Sequence, residues 1–304
     1  MTYNPAQQAV IDLLGKSADR ADIDVGIGPR LLDDLTDGLE PYVDGIELDN
    51  PLWVSKHALA TVHGCETQFL AGQGDFEWSV ANVRGIVAHR GIELTIHMRT
   101  EAAPMQLVEE ALARLINDDR AAGQFIGGLG EFDLADLRST AVDKVSAFQE
   151  SFPALKPQWV PRTESRSRVD LFGGRIVLQG KTDLTLGKPG DKVIIDLKTG
   201  SVSPMHREDL RFYALLETIK LGRPPRKLAS YYLDTARAHP EDVTEPVLDT
   251  AVRRAVDGIK RLIAITRAGE EPRVRPGPQC RWCPVFPTCD AGQAEQRRRD
   301  QFDD

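Results

Sequence analysis

No stretch of this 304-residue sequence approaches the ~20 consecutive apolar residues that a membrane-spanning helix requires. The start, Met1-Thr2-Tyr3-Asn4-Pro5, carries neither the basic nor the apolar region of a secretory signal, so a cytoplasmic location is expected, with no membrane partner. Internal repeats and low-complexity tracts are missing, which removes solenoid and fibrous architectures. Phosphate-binding loops are missing too. Gly180-Lys181-Thr182 ends like one, but Arg175 stands where the earlier glycine is needed; Gly15-Lys16-Ser17 has Val10 in that place. No ATP-driven motor is therefore visible.

An excess of positive charge is also lacking, at 38 Lys+Arg against 46 Asp+Glu for a net charge of −8. The distribution matters more than the total. Nine acids and one base, Arg30, lie between Ala21 and Asn50, which leaves 37 charges of each sign over the rest of the chain. A neutral body with local basic faces can bind nucleic acid, so the balance excludes little about partners. With 41% hydrophobic and 28% charged residues the chain is neither disordered nor fibrous, and it is long enough to bury a sizeable core.

Cysteine is scarce, at four residues, but not scattered. Cys280, Cys283 and Cys289 fall within ten residues of one another, and Cys65 lies far upstream. Nothing marks the chain as secreted, so a metal or cluster site suits this grouping better than disulfides. On chemistry alone, tetrahedral zinc and an iron–sulfur cluster both accept four thiolates.

Three segments are expected: an acidic N-terminal extension over 1–50, a main domain over 51–272 and a cysteine tail over 273–304. The extension reads as a weak amphipathic helix at 5–20 followed by loops with short helices. Near Pro51 an apolar Leu52-Trp53-Val54 leads into a helix with Ser55 as its N-cap. Helical spacing recurs at 78–98, 104–117 and 131–151. Short β-rich runs then follow at 158–164, 168–172, 175–180, 182–186 and 192–198, separated by Gly, Pro or Asp turns, and predict a meander of four or five strands. Helices at 206–221 and 247–268, with a strand at 227–234 between them, complete a mixed α/β pattern.

The chemistry centres on Gly180-Lys181-Thr182-Asp183 and on the run Val193-Ile194-Ile195-Asp196-Leu197-Lys198. Strand alternation puts Asp196 and Lys198 on one face with Leu197 opposite. Two carboxylates converging from neighbouring strands suit Mg²⁺ or Mn²⁺, and a lysine two residues on can orient a water or offset charge on a phosphate. Val193-Ile194-Ile195 places these charges at the rim of a buried strand. Upstream, Gly85 and His89 share a helix, the glycine allowing close approach of a neighbour. Downstream, Arg207, Arg211 and Tyr213 lie on successive turns of a helix. Taken alone, each helix also fits an ordinary role, a satisfied structural histidine in one and a solvated charged face in the other.

In this order, Gly85…His89, Gly180…Asp183, Asp196-x-Lys198 and Asp209-x-x-x-Tyr213, the sequence resembles the PD-(D/E)XK nuclease superfamily. It is similar in particular to RecB-type nuclease domains and to the iron–sulfur exonucleases of CRISPR adaptation and helicase–nuclease repair complexes. The resemblance covers about residues 52–290. It implies a restriction-endonuclease-like α/β core, a mixed central sheet flanked by helices. It further implies a DNA exonuclease acting on single strands or duplex ends, in repair, recombination or phage-defence processing, with a possible helicase or integrase partner.

By position, His89, Asp183, Asp196 and the Leu197 carbonyl would hold Mg²⁺ or Mn²⁺, and Lys198 would serve the water or the transition state. Tyr213 and Arg211 would hold substrate phosphate, with Glu164 where such domains carry a glutamate on the first strand. Cys65, Cys280, Cys283 and Cys289 would bind a [4Fe–4S] cluster rather than zinc. The sequence departs from the family pattern at Asp209, where glutamine is usual and where an ionised carboxylate cannot donate a hydrogen bond. Competing readings are a non-catalytic DNA-binding or scaffolding subunit and a zinc-stabilised interaction module.

Overall fold

The computed structural model describes residues 3–16, 22–74, 77–98 and 102–301. The chain forms α1 (Pro5–Leu14), α2 (Ile27–Leu39), β1 (Leu52–Val54), α3 (Lys56–Gly64), α4 (Glu66–Ala71), α5 (Val80–His97), α6 (Pro104–Asp118), α7 (Arg120–Gly127) and α8 (Glu131–Ser151). There follow β2 (Arg162–Leu171), β3 (Ile176–Leu186), β4 (Val193–Lys198), α9 (Met205–Leu221), β5 (Lys227–Tyr232), β6 (Arg237–Asp242), α10 (Glu245–Thr266) and α11 (Asp290–Asp300). Among the described residues, no helix is long and apolar enough to cross a membrane.

One mixed sheet runs β1-β3-β4-β5-β6, with β2 along the outer side of β3. Helices cover both faces, each over its own apolar core. On one face α2, α3, α9 and α10 pack on Ile176, Leu178, Ile194 and Leu228. On the other, α1 and α5 to α8 pack on Leu184, Val193, Ile195, Leu197, Ala229 and Tyr231. β4 shows why the sheet must be covered twice: Ile194 faces one layer while Val193 and Ile195 face the other. The sheet and its two helical layers make the restriction-endonuclease-like architecture expected from the sequence.

Helix starts follow local chemistry. The Ser55 hydroxyl accepts from the Ala58 N–H to open α3, and Ser79 and Asn82 form a reciprocal cap on α5. At 27–39, where loops and short helices were expected, α2 is a full thirteen-residue helix. Ile27, Leu31, Leu35 and Leu39 form a fully buried stripe at four-residue spacing, and the acids Asp33, Asp34 and Asp37 lie off that stripe. This part of the acidic segment thus belongs to the same core as the central sheet. The last residues of the 5–20 helix expectation, 17–20, lie outside the described residues.

The expected meander is corrected in one respect. The runs at 158–164 and 168–172 merge into the single strand β2, and those at 175–180 and 182–186 into β3. Gly180, the last residue of the expected 175–180 run, lies inside β3, and the Tyr213 ring from α9 rests against its bare Cα: a Cβ there would fall 2.6 Å from Tyr213 Cε1. The close approach expected at Gly85 is found at Gly91, where a Cβ would meet Val145 Cγ2 at 2.7 Å; at Gly85 the nearest atom, Thr199 Oγ1, is 3.7 Å away.

The sheet is forked, and the fork positions the site. β2 pairs with β3 along nearly its whole length, so β1 and β4 share the other edge of β3. β1 is parallel to β3 and occupies 176–178; β4 is antiparallel and occupies 184–186. Between them the edge at 179–183 is left without a neighbouring strand. β1 runs directly into α3 beside this gap, and β4 leaves β3 there while staying paired with β5 up to Lys198 opposite Tyr232.

Gly180→Ala is expected to cost about 1–3 kcal/mol, because the added methyl would displace the Tyr213 ring and its Leu216 neighbour. Urea unfolding of the two proteins at pH 7 measures the difference.

Candidate active site

Asp183 and Asp196 sit one step beyond the last β3–β4 pair, Leu184 with Ile195, where the two strands part. Beyond that point the β4 backbone has no strand partner on this side. The Leu197 N–H donates instead to Asp183 Oδ2 at 2.8 Å, so a carboxylate replaces the missing carbonyl. The opposite ladder is disturbed at the same level. The paired residues Thr163–Leu184 and Ser165–Thr182 flank Glu164 and Asp183, and Glu164 adopts a left-handed φ of 50°.

Helices from both layers converge on the fork. From α5, His89 Nδ1 approaches Asp183 Oδ1 at 3.6 Å. From the start of α3, Lys56 Nζ donates to Asp196 Oδ1 at 3.0 Å. Lys198 Nζ lies 2.5 Å from Asp196 Oδ2, an ion pair without good hydrogen-bond geometry, so that buried oxygen has no directed donor. Asp196 is 1% exposed, and its carboxylate rests between two ammonium groups. Asp209 of α9 stands behind, 3.7 Å from Lys198.

Burial and charge divide the titrations. For Asp183 burial pushes the pKa up, but His89, Lys56 and the Leu197 N–H together draw it below the ordinary value. For His89 burial pushes down and the Asp183 hydrogen bond and charge overcome it, so the imidazolium is favoured. Asp209 is pushed up to about 6 by burial, only partly offset by Lys56 and Lys198. His206 is pushed down to about 4, by burial and then by the charges of Lys198 and Lys56, and its ring meets the Tyr232 hydroxyl at 2.9 Å.

Of the residues singled out in the sequence, His89, Asp183, Asp196, Leu197 and Lys198 line one open cleft, together with Lys56, Thr199, Gly200, Ser201, Ser203 and His206. Three others do not reach it. Glu164 pairs with Lys181 on the next strand, although its charge is felt at His89. Tyr213 is 3% exposed, sealed against Gly180, with its hydroxyl turned to Lys56. Arg211 is held by Glu241 through Nε at 3.0 Å and Nη2 at 2.5 Å, and by Glu208 at 2.9 Å. Lys56 and His206 were not foreseen. For Lys56 the available signal was its place directly after the capping Ser55.

The residues suit a hard cation by type: two carboxylates, an imidazole and a free backbone edge around an oxygen with no directed donor. As they stand, no three His, Cys, Asp or Glu side chains among the described residues close on a single metal ion. At the fork the reason is visible, since lysines already neutralise Asp196.

Cys65, Cys280, Cys283 and Cys289 line a second pocket. Backbone N–H groups of Arg275, Gly277 and Gly292 point at the sulfurs of Cys65, Cys280 and Cys289 at 3.3–3.5 Å. A Cβ on Gly292 would meet two of those sulfurs at 3.4 Å, so the glycine keeps the pocket open. Burial raises the Cys283 pKa, and the other three cysteines raise it further. Beside the pocket the buried Glu66 accepts from Arg261 at 2.8 and 2.9 Å and from the Arg273 N–H at 2.8 Å, which fastens the tail to α4.

A sheet forked between two helical layers, with paired carboxylates and a lysine at the fork, defines an enzyme of restriction-endonuclease-like build. The chain belongs to the PD-(D/E)XK nuclease superfamily, whose family model matches residues 54–290. Among solved structures it is similar to a protein of Eubacterium rectale named "Putative exonuclease". The two are 15% identical with a TM-score of 0.50, over 84% of this chain and 91% of that one, a likeness of fold. A second structure, SSO0001, is 18% identical over 69% of this chain and 96% of its own, with a TM-score of 0.32. No curated protein matches the sequence.

Replacement of Asp209 by Asn tests the raised carboxyl. In the folded protein Asp209 ionises near pH 6, above its ordinary 3.8, so the native state loses stability as pH rises between those values and does not regain it. Asp209→Asn removes this loss. The variant's stability relative to the parent is expected to improve by about 1 kcal/mol between pH 5 and pH 8, read from urea melts at both.

Proposed function

We propose that this nuclease is a metal-dependent deoxyribonuclease, an exonuclease working on single-stranded DNA or duplex ends and stapled by a [4Fe–4S] cluster. The observation that carries the reading is the strand fork, which gathers His89, Asp183, Asp196 and Lys198 around one open, polar cleft. Asp183, Asp196, a neutral His89 and the Leu197 carbonyl would hold Mg²⁺ or Mn²⁺. When bound, the ion supplies the positive charge that a phosphodiester needs to accept an attacking water.

The chain's own residues supply the rest. The Leu197 N–H fixes the Asp183 carboxylate, so its other oxygen, facing His89, keeps one direction. Lys198, anchored in a strand and drawn between Asp196 and Asp209, keeps its ammonium at the cleft wall, where it orients the water or meets charge building on the phosphate. His89, favoured as imidazolium beside Asp183, must lose one ring proton to solvent in the open cleft before that nitrogen can offer a lone pair. Hydrolysis by water needs no covalent intermediate on the protein.

The cluster reading is supported by four sulfurs around one pocket, by N–H groups aimed at three of them, and by the glycine that leaves room. The choice of a cluster over zinc rests on the resemblance, since four thiolates accept either. A role in repair or phage-defence DNA processing, with a helicase or integrase partner, rests on the resemblance alone.

Anaerobically purified protein on end-labelled single-stranded DNA is expected to cleave with Mn²⁺ or Mg²⁺ and not with EDTA. Asp196→Ala and Lys198→Ala should each lose about 10³-fold or more in rate while melting as folded proteins. DNA that is bound but left uncut by the parent would favour the non-catalytic subunit. Cys283→Ala should lose the visible iron–sulfur absorption and melt at lower temperature; full iron content in that variant would overturn the ligand assignment.

A further inference from the structure

None of the residues expected to grip substrate phosphate faces the cleft: Arg211 is spent on Glu241 and Glu208, and Tyr213 is sealed beneath Gly180. A cation that does face the cleft is Lys56. Its side chain is 28% exposed, its ammonium lies 5.0 Å from the centre of the Tyr213 ring, and it donates to Asp196 Oδ1. Its place is unusual for a cation. Lys56 is the first residue of a nine-residue helix, where the positive end of the helix dipole repels an ammonium and favours an anion.

The charge balance shows what Lys56 does there. Asp183 is matched by His89, and Asp196 by Lys56 and Lys198, with Asp209 behind. The cleft is thus neutralised before any divalent cation arrives. Two ammonium groups and a divalent ion cannot share one carboxylate that is 2% exposed, since like charges in contact with it repel strongly where water does not screen them. Lys198 is the more buried of the two lysines, 16% exposed against 28% for Lys56, and stands in a paired strand. Lys56 is the more exposed, and its four-carbon stem leads from the start of α3 into the open cleft.

We propose that Lys56 is a stored phosphate-binding residue: it holds Asp196 while the site lacks a divalent cation, and is released into the cleft to grip a phosphate of the DNA strand when the cation takes the carboxylate. This rests on the metal-dependent nuclease reading. Lys56 then acts through position, binding the strand rather than the reacting atoms. Binding of cation and of DNA become linked, since each favours the conformer that the other requires.

The test uses the full-length protein with Lys56→Met, which keeps the stem, and Lys56→Arg, which keeps the charge. Calorimetric titration with Mn²⁺ in the absence of DNA should show roughly tenfold tighter binding in Lys56→Met, because a competing charge is gone. Binding of a single-stranded oligonucleotide should be the same for parent and Lys56→Met in EDTA. In Ca²⁺, Lys56→Met should bind several-fold more weakly, with a salt dependence lower by about one phosphate contact, and Lys56→Arg should restore both. Unchanged Mn²⁺ affinity in a folded Lys56→Met, or equal loss of DNA binding in EDTA and Ca²⁺, would overturn the proposal. Should Lys56→Met fail to fold, Lys56→Gln carries the same two titrations. A parent that binds no Mn²⁺ and cuts no DNA removes the nuclease reading itself, whereas a parent that does both beside an unaltered variant removes only the role of Lys56.

Discussion

A carboxylate shut away from water has to be answered by positive charge, and Asp196 is the point on which this structure turns. Isolated burial of such a group would cost several kcal/mol, so the fold brings two ammonium groups to it from opposite sides. Lys56 is delivered by α3, which starts directly after β1, Lys198 closes β4, and α9 places Asp209 behind Lys198. The apolar cores on the two faces of the sheet hold the walls; the fork between β1 and β4 is where those walls are left open.

Sheets usually satisfy their backbone by pairing, and at the β4 end of the five-residue gap along β3 a side chain takes over from a strand. Asp183 receives the Leu197 N–H, and the Tyr213 ring covers the bare Gly180. The Asp183 carboxylate that takes over there is also one of those proposed for the chemistry. Asp183 is at once a structural acceptor and a site carboxylate, so its orientation is set by the backbone of the very strand that carries Asp196 and Lys198.

Much of this was legible in the sequence, and the exceptions have physical causes. The apolar Val193-Ile194-Ile195 run pointed to a buried strand ending in charge, and the cap at Ser55 and the helix at 131–151 were readable from local residues. Local signals failed where a distant partner decided. The runs at 175–180 and 182–186 read as two strands, and only an aromatic ring from α9 shows why a glycine stands where they join. The acids of α2 hid a leucine stripe that the four-residue spacing did contain. Lys56 lies 140 residues from Asp196, and no local pattern says that the two meet at a fork. For Arg211, helical spacing could not tell which neighbour would claim it; Glu241, on the edge strand, did.

The clasp at Glu66 bears on how the protein is made. Glu66 waits for Arg261 and Arg273, residues that leave the ribosome about two hundred positions later, and Cys65 beside it waits for Cys280, Cys283 and Cys289. Until then a buried acid and a thiol on α3 and α4 have no partners, and the helix that carries Lys56 has one end loose. The first helices of the domain therefore complete their packing only after α10 and the cysteine tail have been made. A chain that stops at residue 274 would hold every residue of the fork and the Glu66 clasp, yet lack the three cysteines that face Cys65 at the far end of the helix lining it.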